Sequence, residues 1–407
     1  MSPLSETRSA PRQAGTPLAA RILAGWLERI TTGRLTLCPP RGPARTFTGS
    51  RSGPEAELHL RRPARVLARV LHRGDLGFAE AYMAGEWDTP DLAALIELLI
   101  YNEHAYNASP AGRWYSRLAL ALYHRLRPNT PAGSRRNIAA HYDLGNDFYA
   151  LWLDETMTYS SALFAEPEQD LAAAQRHKHA ETLRQLGARP GEHLLEIGCG
   201  WGSLARAAAE AGVHVTGVTL SREQLAWARE HLRTAGGAGR AELRLADYRE
   251  LAGSYDHIAS IEMFEAVGRE HWPAFFATLQ QRLRPGGRAL LQVITIDEAA
   301  FPVYEQAPDF IQRYIFPGGM LPTLGHLREG LQDAGLELEQ VSAHGGDYAA
   351  TLAAWQRRFN ARAEALEALG FGERFQRMWR YYLGYCEGGF RSGRIELHRI
   401  LARRPDA

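Results

Sequence analysis

The segment Gly198-Cys199-Gly200-Trp201-Gly202 follows the apolar run Leu194–Ile197 and precedes a helix-forming stretch that begins at Ser203. Glycines at the end of a strand let the backbone turn sharply and approach a ligand lying over the next helix N-terminus. The spacing is GxGxG rather than the dinucleotide GxGxxG, and Glu196 stands just ahead of it. A carboxylate at a strand end can hold an ammonium, which suits a cofactor carrying an amino acid better than a pyrophosphate. Two later segments offer complementary groups. Thr219-Leu220-Ser221, with Gln224 a turn on, can meet ribose hydroxyls, and Ala246-Asp247-Tyr248 supplies a carboxylate for an adenine amino group beside an aromatic ring. Glu196, Gly198, Gly200, Gly202, Thr219, Leu220, Gln224, Asp247 and Tyr248 together read as a site for S-adenosylmethionine, and no metal-ligand set accompanies them.

The elements that position these residues alternate from Gly191 onward: apolar strand-like runs end at Ile197, Thr219, Ala246, Ile261 and Ile296, with helical stretches between. Strands separated by helices predict a parallel sheet with crossover helices, an α/β fold of Rossmann-like class I methyltransferase type. Ahead of it the pattern is different. A helix then a strand is expected over Leu23–Leu37, short strands over Leu35–Val66, and helical periodicity from Pro63 to Ile100, with Asp88-Thr89-Pro90 as the start of the last helix. The expected division is a flexible tail over 1–20, a smaller mixed α/β N-terminal domain over 21–127, a linker over 128–136 (from PNTPAGS) and a catalytic domain over 137–407.

Charge divides along the same line. Residues 1–137 hold 19 arginines against 11 acidic residues, whereas the rest of the chain holds 28 basic against 35 acidic. The single lysine is Lys178. Arg113–Arg127, read as a helix, gathers Trp114, Tyr115, Leu118, Leu122, Tyr123 and Leu126 on one face and Arg113, Arg117 and Arg127 on the other. A basic amphipathic helix with interfacial aromatics is a membrane-surface signature, and the competing reading packs it against a neighbouring domain. Three scattered cysteines argue against a disulfide framework, and Met1–Ala20 has no apolar signal core. The expectation is a cytoplasmic protein, peripheral at the inner membrane face, facing anionic lipid rather than nucleic acid.

Several segments are more specific. HYDLGNDFY (141–149), LDETMTYSSALF (153–164), IEMFEAVG (261–268), FIQRYIFPGGMLP (310–322) and DYAATLAAW (347–355), with GDLGFAEAYMAGEW (74–87) further upstream, resemble the cyclopropane-fatty-acyl-phospholipid synthase family. The resemblance extends to its mycolic acid cyclopropane synthases, and YSSA, EMxEAVG and LQxI look like its plant-type branch. It implies transfer of a methyl group from S-adenosylmethionine to the double bond of an unsaturated phospholipid acyl chain, through a carbocation that loses a proton to close a cyclopropane ring. Aromatic faces can stabilise such a cation, and Phe264, Tyr304, Tyr314, Phe316 and Trp355 are the candidate rings.

The resemblance further implies bound bicarbonate as the base, held by a Glu, a Tyr, a His and the backbone beside a Cys. The Glu matches Glu265 and the Tyr matches Tyr348. Ser161 stands where the family has Cys, Gln292 where it has His, and Ala266 where a second His follows the site Glu. Tyr159, Ser160 and Ile261 match positions that contact the cofactor. A homodimer is a further expectation. The altered Cys and His keep open a C-methyltransferase giving methyl-branched or methylene chains. A non-catalytic lipid-binding protein and a small-molecule N-methyltransferase are the remaining alternatives.

Overall fold

A computed structural model describes residues 15–106, 144–233, 238–306 and 308–406. The chain divides into two units, residues 1–112 and 113–407. The segments expected to form the linker (128–136) and the basic helix (113–127) lie outside the described residues.

In the first unit, β1 (Thr32–Cys38), β2 (Arg45–Thr48), β3 (Arg51–Leu60) and β4 (Trp87–Asp88) form a sheet of order β2-β1-β3-β4. β1 alternates, so that Leu35 and Leu37 point inward with Ala56 and Leu58 of β3 beside them in parallel register. Helices α1 (Leu18–Leu27), α2 (Pro63–Met83) and α3 (Leu92–Tyr101) complete the unit. The cap of α3 is Asp91, whose carboxylate accepts from the Ala94 amide at 2.9 Å, slightly later than the Asp88–Pro90 start read from sequence. Part of the arginine excess is used internally: Arg65, Arg69 and Arg73 pair with Glu80 and Glu86, both buried.

In the second unit, β5 (His193–Ile197), β6 (His214–Thr219), β7 (Ala241–Leu245), β8 (Tyr255–Ile261) and β9 (Leu283–Ile296) run parallel. With β10 (Glu337–Ala343) and β11 (Ile395–Arg403) they make a seven-stranded sheet of order β10-β11-β9-β8-β5-β6-β7, in which β11 is antiparallel to both neighbours. The longer helices are α4 (Leu171–Leu186), α5 (Ser203–Glu210), α6 (Arg222–Leu232), α7 (Trp272–Arg282), α8 (Leu324–Asp333), α9 (Gly345–Asn360) and α10 (Glu373–Arg391). α9 and α10 pack on each other and on β11. The central strands β5 and β8 are covered on both faces, one core forming with α7 and α8 and the other with α5 and α6. Parallel strands with their carboxyl ends aligned bring the loops after β5, β6, β7, β8 and β9 to one edge of the sheet, where such folds bind ligands.

Candidate active site

Two connected regions form at that edge. In the first, β5 delivers Glu196 and the glycine loop. Gly198, Gly200 and Gly202 have φ of 86°, 50° and 84°, in the left-handed region where a side chain is strained. A Cβ on Gly198 would stand 2.8 Å from Met263 Cγ, and one on Gly202 would stand 3.0 Å from Ala228 Cβ, whereas nothing lies within 4 Å of one on Gly200. Two of the glycines thus allow close packing and the third faces open space that a ligand can fill. Glu196 is buried, and its Oε2 has no hydrogen-bond partner. Burial raises its carboxyl to about 8, opposed by the Ala205 amide and Lys178. An unpartnered acceptor beside an open cradle fits the ammonium of S-adenosylmethionine.

The remaining expected cofactor residues are distributed around this loop. Thr219 Oγ bonds the Gln224 amide oxygen at 2.9 Å, and Ser221 caps α6 by accepting from the Gln224 backbone. Leu220 and Ile261 are partly exposed at their strand ends. Asp247 is held by Arg249 through Nε at 2.9 Å and Nη2 at 2.7 Å, so the carboxylate read as an adenine acceptor already carries an ion pair. The Tyr248 hydroxyl is buried without a partner and is pushed up to about 12, chiefly by burial. From the loop before α4, the Tyr159 hydroxyl bonds that of Tyr382 at 2.8 Å, and Ser160 Oγ accepts from Lys178 Nζ at 2.6 Å.

The second region lies after β8. The sequence resemblance points to Glu265 as the carboxylate meeting Tyr348, Ser161 and Gln292; the carboxylate at that convergence is Glu262. Its Oε1 accepts from the Ser161 backbone amide and from Gln292 Nε2, both at 2.9 Å, and its Oε2 accepts from the Tyr348 hydroxyl at 2.6 Å. The Ser161 hydroxyl turns away to the Ala162 carbonyl at 2.9 Å. The donors that would hold a bicarbonate are therefore already directed at a side chain of this protein. Glu262 sits at φ 50°, unusual for a residue with a side chain, and its amide is pinned to the Gln292 carbonyl at 2.7 Å. That left-handed residue ends β8 and turns the carboxylate back over the strand ends.

Glu265 lies one short turn later and accepts from the Ile294 amide at 2.6 Å, leaving its Oε2 buried without a partner. Burial, then the charge of Glu262, raises it to about 8. Glu262 is also raised by burial, but Lys178, Tyr348, Gln292 and the Ser161 amide all favour its charged form. The three donors and Lys178 thus favour negative charge on Glu262, whereas Glu265, with a single amide donor and the Glu262 charge beside it, is pushed toward its protonated form. Burial and the facing Glu262 charge lift the Tyr348 hydroxyl far above its ordinary value, so it donates.

The aromatic lining differs from the sequence expectation. Of the candidate rings, Tyr304 packs against the sheet core with its centroid 6.4 Å from that of Phe301, and the Tyr314 ring lies 5.5 Å from Phe310. Phe264 packs into the sheet core against Trp272, Phe275 and Phe276, because the turn that presents Glu262 and Glu265 sends the residue between them to the opposite side. Rings near Glu262 are Tyr348, stacked on Phe390 at 4.4 Å, and Trp355, edge-on to Tyr348 at 6.2 Å and 5.4 Å from Tyr159. Phe316 reaches Tyr382 at 6.2 Å, and the Tyr304 hydroxyl accepts from the Leu321 amide at 3.1 Å.

A glycine-lined cofactor cradle at the carboxyl end of β5 in a sheet of this order defines a Rossmann-like S-adenosylmethionine-dependent methyltransferase. Within that class, residues 130–400 match the family model of mycolic acid cyclopropane synthetase, and the chain belongs to that family. It is 41% identical over 373 residues to tuberculostearic acid methyltransferase UfaA1 of Mycobacterium tuberculosis, covering 87% of this chain and 84% of that protein. It is 33% identical over 350 residues to cyclopropane-fatty-acyl-phospholipid synthase of Escherichia coli, covering 86% and 88%. The crystal structure of mycolic acid cyclopropane synthase CmaA1 complexed with SAH and CTAB superposes with a TM-score of 0.62 at 33% identity, over 66% of this chain and 98% of that one.

Proposed function

We propose that this enzyme methylenates the double bond of an unsaturated phospholipid acyl chain, with Glu262 as the base that bicarbonate supplies elsewhere in the family. The convergence of three donors on Glu262, beside a cradle suited to the methyl donor, carries this reading. S-adenosylmethionine provides an electrophilic methyl group on a sulfonium. The alkene π bond attacks that methyl, which forms one carbon–carbon bond, releases S-adenosylhomocysteine and leaves a cation on the second alkene carbon. The faces of Tyr348, Phe390 and Trp355 offer electron density without a nucleophile. Glu262 then accepts a proton from the new methyl, and the freed C–H pair closes the ring onto the cationic carbon. Tyr348, Gln292 and the Ser161 amide hold the carboxylate at fixed orientation for that transfer.

A second reading is supported by the 41% identity to a tuberculostearic acid methyltransferase. If a hydride shifts along the chain before the proton leaves, the same base yields a methylene branch instead of a ring. A peripheral lipid-facing role for the N-terminal unit rests on its arginine excess and the 113–127 pattern. No helix among the described residues is long and apolar enough to cross a membrane, so substrate acyl chains would be reached from the surface. Self-association into a homodimer is part of the same proposal.

Expression in a bacterial host lacking its own synthase, fed methyl-deuterated methionine, tests the reading by lipid mass spectrometry and proton NMR. Acyl chains should gain one carbon carrying two deuteriums, and lipids from a parallel culture fed unlabelled methionine should show upfield ring proton signals for the first reading and vinylidene proton signals for the second. Retention of three deuteriums would refute removal of a methyl proton.

A further inference from the structure

Helix α4 turns a polar face into the protein rather than toward water. Gln175, Lys178, His179 and Thr182 are all buried, and Lys178 is fully so. Burying a lysine costs several kcal/mol unless charge and hydrogen bonds compensate, so its neighbours matter. Lys178 Nζ donates to Ser160 Oγ at 2.6 Å, and the next residue, Ser161, donates its amide to Glu262. Gln175 fixes the same dipeptide from the other side through the Ser160 carbonyl at 2.8 Å. A second buried cation stands behind the cage: Arg399 of β11 is 2% exposed and donates to Gln292 Oε1 at 2.7 Å and to Thr182 Oγ and Gln185 Oε1 at 3.1 Å. Because Arg399 takes the oxygen of the Gln292 amide, the NH2 end must face Glu262.

Resting on the reading of Glu262 as the base, we propose that Lys178 is a positioning residue that keeps the Glu262 carboxylate ionised ahead of proton removal. The charged groups acting on Lys178 are Glu262, Arg399, Asp154 and Glu196, and those facing Glu262 are Lys178 and Glu265 with the Tyr348 hydroxyl. Burial lowers Lys178 to about 7 while Glu262 pulls it back up, so the two groups support each other's charge near neutrality. Without the ammonium, Glu262 would compete with Glu265 for one proton in a site of low dielectric, and the base would be lost at a higher pH.

The test is the pH–turnover profile of the full chain with S-adenosylmethionine and vesicles of unsaturated phospholipid, alongside S-adenosylmethionine affinity by calorimetry. Lys178→Met keeps shape and removes charge. Its acidic limb should move upward by one pH unit or more, so that turnover lost on the acidic side is recovered toward pH 9, with affinity within about threefold of wild type. Lys178→Arg keeps the charge at all accessible pH and should retain the wild-type acidic limb, which tests the idea even where the Met variant fails to fold. An unmoved limb in Lys178→Met, or a shifted one in Lys178→Arg, overturns the proposal; so does a loss of affinity with an unmoved limb, which would make Lys178 a strut for the Ser160 loop. Glu262→Gln separates the two levels: near-normal turnover in that variant refutes the base itself, whereas an inactive Glu262→Gln with an unmoved Lys178→Met limb refutes only the role of Lys178.

Discussion

Replacing Glu262 with Gln changes one atom and should separate chemistry from folding and binding. The carboxylate accepts two hydrogen bonds of 2.9 Å and one of 2.6 Å. Glutamine keeps one acceptor oxygen, and its NH2 must then face one of the remaining donors. Hydrogen bonds to a charged group contribute roughly 1.5–3 kcal/mol each, and one or two are lost. Removing a buried charge offsets part of that, so the net loss of stability should be about 1–3 kcal/mol. In a unit of this size that lowers the melting temperature by only some 2–4 °C per kcal/mol, and the protein should remain folded. Turnover should fall further, because a positioned general base contributes roughly 10²–10⁴-fold, or about 3–5.5 kcal/mol of barrier. The assay is the initial rate of S-adenosylhomocysteine release with unsaturated phospholipid vesicles, and calorimetry should find S-adenosylmethionine affinity within threefold of wild type. A variant with full turnover, or one whose rate loss is matched by lost affinity, refutes the assignment.

Gly200→Val places a β-branched side chain into the open side of the cradle at a φ of 50°. It should cost about 1–2 kcal/mol of backbone strain and abolish cofactor binding by calorimetry, with the far-UV circular dichroism spectrum unchanged. Glu196 is held protonated near neutrality by burial, and a cofactor ammonium favours its ionised form. Binding at pH 7 should therefore release about one proton, seen as a buffer-dependent calorimetric enthalpy, and affinity should rise as the pH approaches 8. Glu86 is buried with Arg69 at 2.8 Å, so Glu86→Ala should destabilise the N-terminal unit by about 2–4 kcal/mol, read as a lower thermal midpoint. Changing Arg113, Arg117 and Arg127 to Gln should weaken co-sedimentation with anionic vesicles at low salt, by about 1 kcal/mol per residue, and added salt should erase the difference.

The strand ends were the most legible part of the chain. The glycine spacing after an apolar run fixes both the turn and the element that bears it, and all five parallel strands fall where the apolar runs stand. Glu262 was hidden because IEMFEAVG holds two acids three residues apart at the end of a strand, where the backbone leaves any regular period. The available signal was its place immediately after Ile261, at the carboxyl end of a parallel strand. Phe264 was misplaced for the same reason. The floor of the site was illegible for another: LAAAQRHKHAETLRQL reads as a solvated helix, and only tertiary packing shows that its polar residues face inward to Ser160 and Arg399. Arg399 itself lies on the reversed strand β11, more than a hundred residues from Gln292.

Dependence on bicarbonate tests the central claim most directly. With Glu262 as an internal base, wild-type turnover measured in carbon dioxide-purged buffer should equal that with bicarbonate restored. A wild-type rate that collapses on purging and returns with added bicarbonate would contradict the assignment of the proton to Glu262.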